Sequence, residues 1–319
     1  MRRDIAIDYL RSGVTLLVVA HHASLAYNTV SFYDADHYMK SSTPIVDALR
    51  WKPLDFFVGW NDMFFMSLMF LISGLFIVPS LMRKGPGRFV IDRAKRLGIP
   101  FVVAALLLAP LAYYPSWLLS KAASQGDYLW RFFTTDGWTS GPAWFIWVLL
   151  VYGVLVALMY SFLPTLMKKL SFHVVSPWHL FKVFLGVSLI TTIPFRLFIE
   201  PNDWAHVTGP LYFQTWRGLL YFAWFLLGIA LGNADPERSL SRENLKPWPV
   251  WLVLGGMTYL AHGLLELHVI GPADIPAWVF SVLMTVLYCL CCTMTGLAAL
   301  GIARSFFHPA PPWADRLSA

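Results

Sequence analysis

Apolar residues along this chain gather into eight runs, at about 10–29, 63–82, 97–119, 143–166, 180–199, 211–233, 247–268 and 276–303. Each is long enough for a bilayer, which a helix crosses with roughly 17–25 residues. Within the runs, apolar and polar positions do not alternate at period two, so they predict helices and not the strands of a barrel. Turn residues such as Gly85-Pro86-Gly87 separate them. The expected fold is all-α: a polytopic membrane helix bundle of about eight transmembrane helices, forming one domain over residues 1–319.

The first run differs from the rest because it carries ionisable residues at helical spacing. Arg11 and His22 are eleven residues apart. That is about three turns, with a drift of only ~20° and a rise of roughly 16 Å, so the two share a face. Asp8 lies one turn before Arg11, within reach of an i, i+3 contact. His21 points about 80° away and is the weaker candidate. Ionisable groups at membrane depth are costly, and by default they mark function. A cleaved signal peptide with Arg2 and Arg3 as its basic end fits poorly, because Asp8 and Arg11 interrupt the apolar core and no A-x-A-like site follows.

Composition agrees with the pattern: 57% of residues are hydrophobic and 13% charged, against about 25% charged in soluble domains. A soluble globule is thereby excluded. The net charge of +6 does not point to nucleic acid, because the cations follow the loops. Arg2 and Arg3, the segment from Arg83 to Arg96, Lys168, Lys169, Arg238, Arg242, Lys246, Arg304 and Arg316 fall on one side of the eight-run topology. Only Lys40, Arg50, Lys52, Lys121 and Arg131 fall on the other. The positive-inside rule then places the N-terminus in the cytoplasm. Cys289, Cys291 and Cys292 lie inside an apolar run and read as packing residues. No further ligands accompany them, and no metal site is expected.

Two loops carry candidate chemistry. Between Arg83 and Arg96 there are six cations in fourteen residues. Arg88, Arg93 and Arg96 suit bidentate contacts to phosphate, although the positive-inside rule alone also explains a basic loop. The outer segment from about 30 to 62 is aromatic and mildly acidic, with Asp34, Asp36, Asp47, Asp55 and Asp62. It reads equally as part of an outward-facing site or as a solvated loop. Arg196, at the outer end of the fifth run, either snorkels to headgroups, pairs with Glu200 or holds an anionic group, and Arg217 has the same alternatives. Nucleophile-elbow, Walker, H-E-x-x-H and C-x-x-C motifs are absent from the sequence.

Four segments together resemble the acyltransferase-3 family of bacterial membrane proteins, and most of all its glucan biosynthesis protein C branch. They are Arg11 followed by ten residues and His22; Met69-Phe70-Leu71-Ile72-Ser73-Gly74; Arg93-Ala94-Lys95-Arg96-Leu97-Gly98-Ile99-Pro100; and Trp144-Phe145. Met69 stands where the family usually has Phe. The resemblance implies an integral membrane O-acyltransferase of the bacterial inner membrane. It would move an acetyl- or succinyl-class group from cytoplasmic acyl-CoA to a hydroxyl of a glycan or related acceptor. His22 is then the general base, with Arg11 and Asp8 beside it in the catalytic set. Arg93, Arg96 and Arg88 hold the donor together with Arg11, while Arg196, Ser73 and Trp144 serve the acceptor or the structure. Acyl-CoA is a substrate, and no tightly bound cofactor is expected. The family continues into a further helix bearing a Tyr-Leu-x-His segment beyond the point where this sequence stops, so a C-terminally truncated chain or a short homologue is expected. A second reading is a secondary transporter of an anionic solute, with Arg11 as counter-ion and His22 as proton relay. The lack of an inverted repeat weighs against it. A third is a non-catalytic assembly partner.

Overall fold

The computed structural model describes residues 4–124, 126–268 and 275–307. Arg2, Arg3, Arg316 and most of the 304–319 connector, counted above among the inner segments, lie outside the described residues. Each of the eight apolar runs lies largely in helix. The first, α1 (Ile5–Leu25), starts where the Asp4 carboxylate accepts from the Ile7 amide at 3.3 Å. Its buried face is Ile7, Leu10, Val14 and His21, the i, i+3, i+7 spacing of a helix packed on one side. Leu16 and Val19 face outward, as lipid-facing residues do.

The second helix corrects the sequence expectation. α2 (Pro53–Gly74) begins ten residues before the run at 63, so the outer segment ends at about residue 52. Asp55 and Asp62 are therefore helical and do not belong to that loop. Hydropathy hid this first part because its polar groups have distant partners: Asp55 accepts from the Thr29 amide and hydroxyl, and Asp62 pairs with Arg217. Pro53 sits in the first turn, where its missing N–H costs nothing. The chain continues through α3 (Ile77–Lys84) and a turn at Gly85, whose φ of +76° favours glycine.

Helix α4 (Pro86–Leu119) is continuous but contains two π-helical segments, Ala94–Gly98 and Ala104–Leu108. Each ends just ahead of a proline, Pro100 or Pro110. Proline supplies no N–H to the ladder, and a widened turn absorbs the lost bond. Between α4 and the short α5 (Tyr128–Thr134) the chain folds against the outer segment. A small second core of Tyr38, Ala109, Ala122, Tyr128 and Phe132 forms there. Burial, with the Asp136 carboxylate beside it, pushes the Tyr38 hydroxyl well above the ordinary phenol range. It stays protonated and donates to Asp136 at 3.1 Å.

α6 (Trp144–Phe162), the short α7 (Pro164–Lys169) and α8 (Pro177–Arg196) follow. Then comes a second departure. The run expected to be helical from 211 opens instead as a strand: β1 (Trp204–Thr208) and β2 (Leu211–Gln214) form an antiparallel hairpin turning at Gly209, whose φ is +48°. The hairpin is fastened to the start of α6, where Trp147 Nε1 donates to the Tyr212 carbonyl at 3.0 Å and the Tyr212 hydroxyl to that of Gly141 at 2.7 Å. α9 (Gly218–Asn233), α10 (Trp248–His268) and α11 (Ala277–Phe306) complete the bundle.

The centre is the pair α2 and α9, which run parallel and are far more buried than the other long helices. Glycine lets them approach. A Cβ at Gly74 would stand 2.2 Å from the Phe225 carbonyl oxygen, one at Gly228 2.1 Å from that of Leu71, and one at Gly232 2.3 Å from that of Leu75. Gly228 and Gly232 form the small-xxx-small pattern of closely packed membrane helices. Among the described residues, six helical stretches are long and apolar enough to cross a membrane: Pro53–Lys84, Pro86–Leu119, Gly141–Phe162, Pro177–Arg196, Thr215–Asn233 and Ala277–Phe306. The other two runs form α1 and α10, each 21 residues long and interrupted by polar side chains. The molecule is thus an all-α polytopic bundle with one small hairpin.

The two ends of the described chain meet. Arg304, near the end of α11, holds Asp4 through two hydrogen bonds of 2.8 and 2.6 Å, with side chains 3% and 10% exposed. Tyr9 stacks on Phe307 at 4.7 Å. Accessibility reporters fused before Met1 and after Ala319 are therefore expected on the same side of the membrane; signals from opposite sides would contradict this packing.

Candidate active site

At the end of the bundle where α1 begins, a cavity of about 410 Å³ opens between helices, within the roughly 300–1,000 Å³ of small-molecule sites. α1 contributes Arg11, the α2–α3 junction Ser73 and Phe76, the end of α3 Arg83 and Lys84, and α4 Arg93 and Arg96. Five cationic side chains thus face one carboxylate, Asp92, which Lys84 binds. The arrangement follows from local structure. α2 ends at Gly74, and the bent α2–α3 junction leaves Ser73 and Phe76 at the mouth. Arg93 rests over the buried Phe89 ring at 5.3 Å, and Arg96 belongs to the first π-helical segment. Widened turns of this kind often mark functional positions. Arg11 is 57% exposed and contacts Asp8 at 3.3 Å, so its guanidinium remains accessible.

Arg11, Ser73, Arg93 and Arg96 come from three separate segments of the chain, and the fold gathers these four in one cavity. Asp8 adjoins it through Arg11. Arg88 does not line it; that side chain points outward from the first turn of α4. His22, Trp144 and Arg196 lie elsewhere.

His22 stands near the opposite end of α1. Its Nδ1 lies 2.8 Å from the Val18 carbonyl oxygen. A carbonyl only accepts, so in the neutral ring Nδ1 carries the hydrogen and Nε2 keeps the lone pair. His21, 6% exposed, turns into the bundle against Phe65 of α2 at 4.9 Å, and its ring meets that of His22 edge-on at 5.1 Å. One turn before Phe65 on α2 is Asp62, expected in the outer loop, which Arg217 grips at 2.8 Å. Arg217 is 7% exposed and flanked by the rings of Trp216 at 4.7 Å and Tyr288 at 4.8 Å. It also donates to the Asp62 carbonyl at 3.2 Å. Arg196 lies over Trp216 at 5.2 Å and donates to the Ile199 carbonyl at 2.5 Å. Trp144 stacks on Tyr221 at 5.9 Å and meets Trp204 of the hairpin edge-on at 5.8 Å. Nothing in the sequence joins residues 62 and 217. The only signal was an arginine next to a tryptophan at the foot of an apolar run.

The bundle therefore has a cationic cavity at one end and a half-exposed imidazole with a free Nε2 lone pair toward the other. Such a pair of sites suits an anionic, extended molecule anchored at the first and reacting at the second. A family model described as an acyltransferase domain matches residues 4–309. No curated protein and no solved structure matches the chain.

Proposed function

Starting from a chain that belongs to the acyltransferase-3 family and is a membrane acyltransferase, we propose that it transfers an acetyl- or succinyl-class group from acyl-CoA to a hydroxyl of a glycan or related acceptor. The observation that carries this reading is the cavity in which Arg11, Arg93, Arg96 and Ser73 converge. Guanidinium groups bind phosphate oxygens through charge-assisted hydrogen bonds, and a nucleotide thioester supplies phosphates at one end. From Arg11 to His22 the helix rises roughly 16 Å, comparable with an extended pantetheine arm. The nucleotide stays at the cavity while the thioester reaches His22.

At His22 the chemistry needs a base and alignment. Nε2 takes the proton of the acceptor hydroxyl as its oxygen attacks the thioester carbonyl. The C–O bond forms, the C–S bond breaks, and the departing thiolate recovers the proton from the imidazolium. In this reading the bundle crosses the bacterial inner membrane eight times with its N-terminus in the cytoplasm, as the cation distribution favours. The donor then binds from inside and the acceptor approaches from outside. The four matched segments favour the glucan biosynthesis branch, which makes a membrane-associated or secreted glycan the acceptor class.

Binding of acyl-CoA by purified protein tests the donor half. Arg93→Ala and Arg96→Ala are each expected to weaken binding about tenfold or more, because a hydrogen bond to a charged group contributes roughly 1.5–3 kcal/mol. The wild-type affinity is expected to fall with added salt. Unchanged affinity in both variants would reduce the basic segment to a topology signal. Solute flux without acyl-CoA turnover would favour a transporter.

A further inference from the structure

The cationic cavity contains one group that works against an anionic ligand. Among the described residues that line it, Asp92 is the one carboxylate, set among Arg11, Arg83, Lys84, Arg93 and Arg96. The other acid nearby, Asp8, contacts Arg11 from outside the lining. Asp92 lies beyond the first turn of α4, just ahead of the first π-helical segment. A helix dipole favours an acid only within its first turn, and a topology signal needs cations alone. Neither accounts for a carboxylate here. Its Oδ2 accepts from Lys84 Nζ across the turn at Gly85. The Lys84 and Asp92 side chains are 24% and 34% exposed, so salt screens the pair less than it would on an open surface.

We infer that Asp92 is a built-in competitor for Lys84, occupying the ammonium group that a phosphate of the donor would otherwise take and thereby holding down the affinity of the cavity for nucleotide phosphates. The inference deepens the acyl-transfer reading above and rests on it. A carboxylate oxygen and a phosphate oxygen are acceptors of the same kind, each forming a charge-assisted hydrogen bond with an ammonium group. While Asp92 holds Lys84, its negative charge also repels any phosphate brought up to the neighbouring arginines. Acyl-CoA and spent CoA carry the same phosphates, so the carboxylate weakens both alike. Binding that is equal in substrate and transition state changes KM and leaves the chemical step untouched. What a weaker grip on the nucleotide does change is the escape of the product, a step that often limits turnover. Asp92 therefore acts as a specificity and release determinant of the donor site and takes no part in the transfer itself.

The test is direct binding of free CoA to the purified full chain, with melting temperatures recorded beside it. Asp92→Asn keeps the shape, removes the charge and releases Lys84. It is expected to tighten CoA binding about tenfold, the size of one hydrogen bond to a charged group, and to make the affinity fall more steeply with added salt. Lys84→Met leaves Asp92 unpaired and facing the ligand, and is expected to weaken binding about tenfold or more. The two variants thus move affinity in opposite directions. A pair that only fastened the turn at Gly85 would move it in the same direction, because either substitution would loosen the same corner. Should Asp92→Asn fail to fold, Asp92→Ser also removes the charge and carries the same expectation. Unchanged or weaker CoA binding in the folded Asp92 variant, or effects of one sign in both variants, would overturn the inference. Absence of CoA binding in wild type would instead overturn the donor assignment of the cavity, and with it the acyl-transfer reading.

Discussion

His22→Ala is expected to lower acyl transfer by about 10²–10⁴-fold, the range for a side chain that moves a proton in the transition state, while the protein still inserts and folds. The geometry sets both halves of that expectation. His22 is only half-buried, and its one protein hydrogen bond among the described residues is to a carbonyl of its own helix, so little packing is lost. The function lost is the Nε2 lone pair. His21→Ala should behave in the opposite manner. That ring is buried against Phe65, and its loss leaves a void in the α1–α2 contact, which lowers stability more than turnover. Arg11→Ala should raise the donor KM if Arg11 only holds phosphate, and should lower kcat as well if it aligns the thioester. Rates and melting temperatures of the three variants check this pattern; equal rates in wild type and His22→Ala would end the catalytic assignment.

Gly228→Leu should abolish recovery of folded protein from the membrane, and Gly228→Ala should already lower its melting temperature. The first added carbon would lie 2.1 Å from the Leu71 carbonyl oxygen, a backbone atom that no rotamer change can move. The helices must then separate along a face that holds much of the core, including Leu71, Leu75 and Phe225. Overpacking typically costs about 1–3 kcal/mol even where side chains can adjust, and total stabilities are only about 5–15 kcal/mol. Gly13→Leu is the control, since nothing lies within 4 Å of a Cβ built there. A well-folded Gly228→Leu protein would show that α2 and α9 do not pack as described.

What the sequence disclosed follows from the range of each signal. Long apolar runs report on their own surroundings, so the long helices could be located from hydropathy. Where polar residues find partners far away, hydropathy misleads, as it does over the first ten residues of α2. In the hairpin, Leu211, Tyr212 and Phe213 are as apolar as a helix start, and nothing local separates the two. Arg93 and Arg96 were legible as types and spacing, and the family resemblance already grouped them with Arg11; the cavity that they share with it depends on how α1 packs against α2, α3 and α4. The Asp62–Arg217 pair spans 155 positions, and only tertiary structure joins them.

The bond between Asp4 and Arg304 has a consequence for biogenesis. Its partners are 300 residues apart, so the Asp4 carboxylate leaves the ribosome long before Arg304 is made. At about 5–20 residues per second, that wait is on the order of 15–60 s. Throughout it, Asp4 must remain hydrated at the membrane surface, and α1 has no fixed partner at its entry end. The closing of this clasp therefore requires that Asp4 and Arg304 reach the same side of the membrane. A nascent chain that skipped one crossing would deliver Arg304 to the wrong leaflet, leaving two charged residues unpaired for membrane quality control to detect.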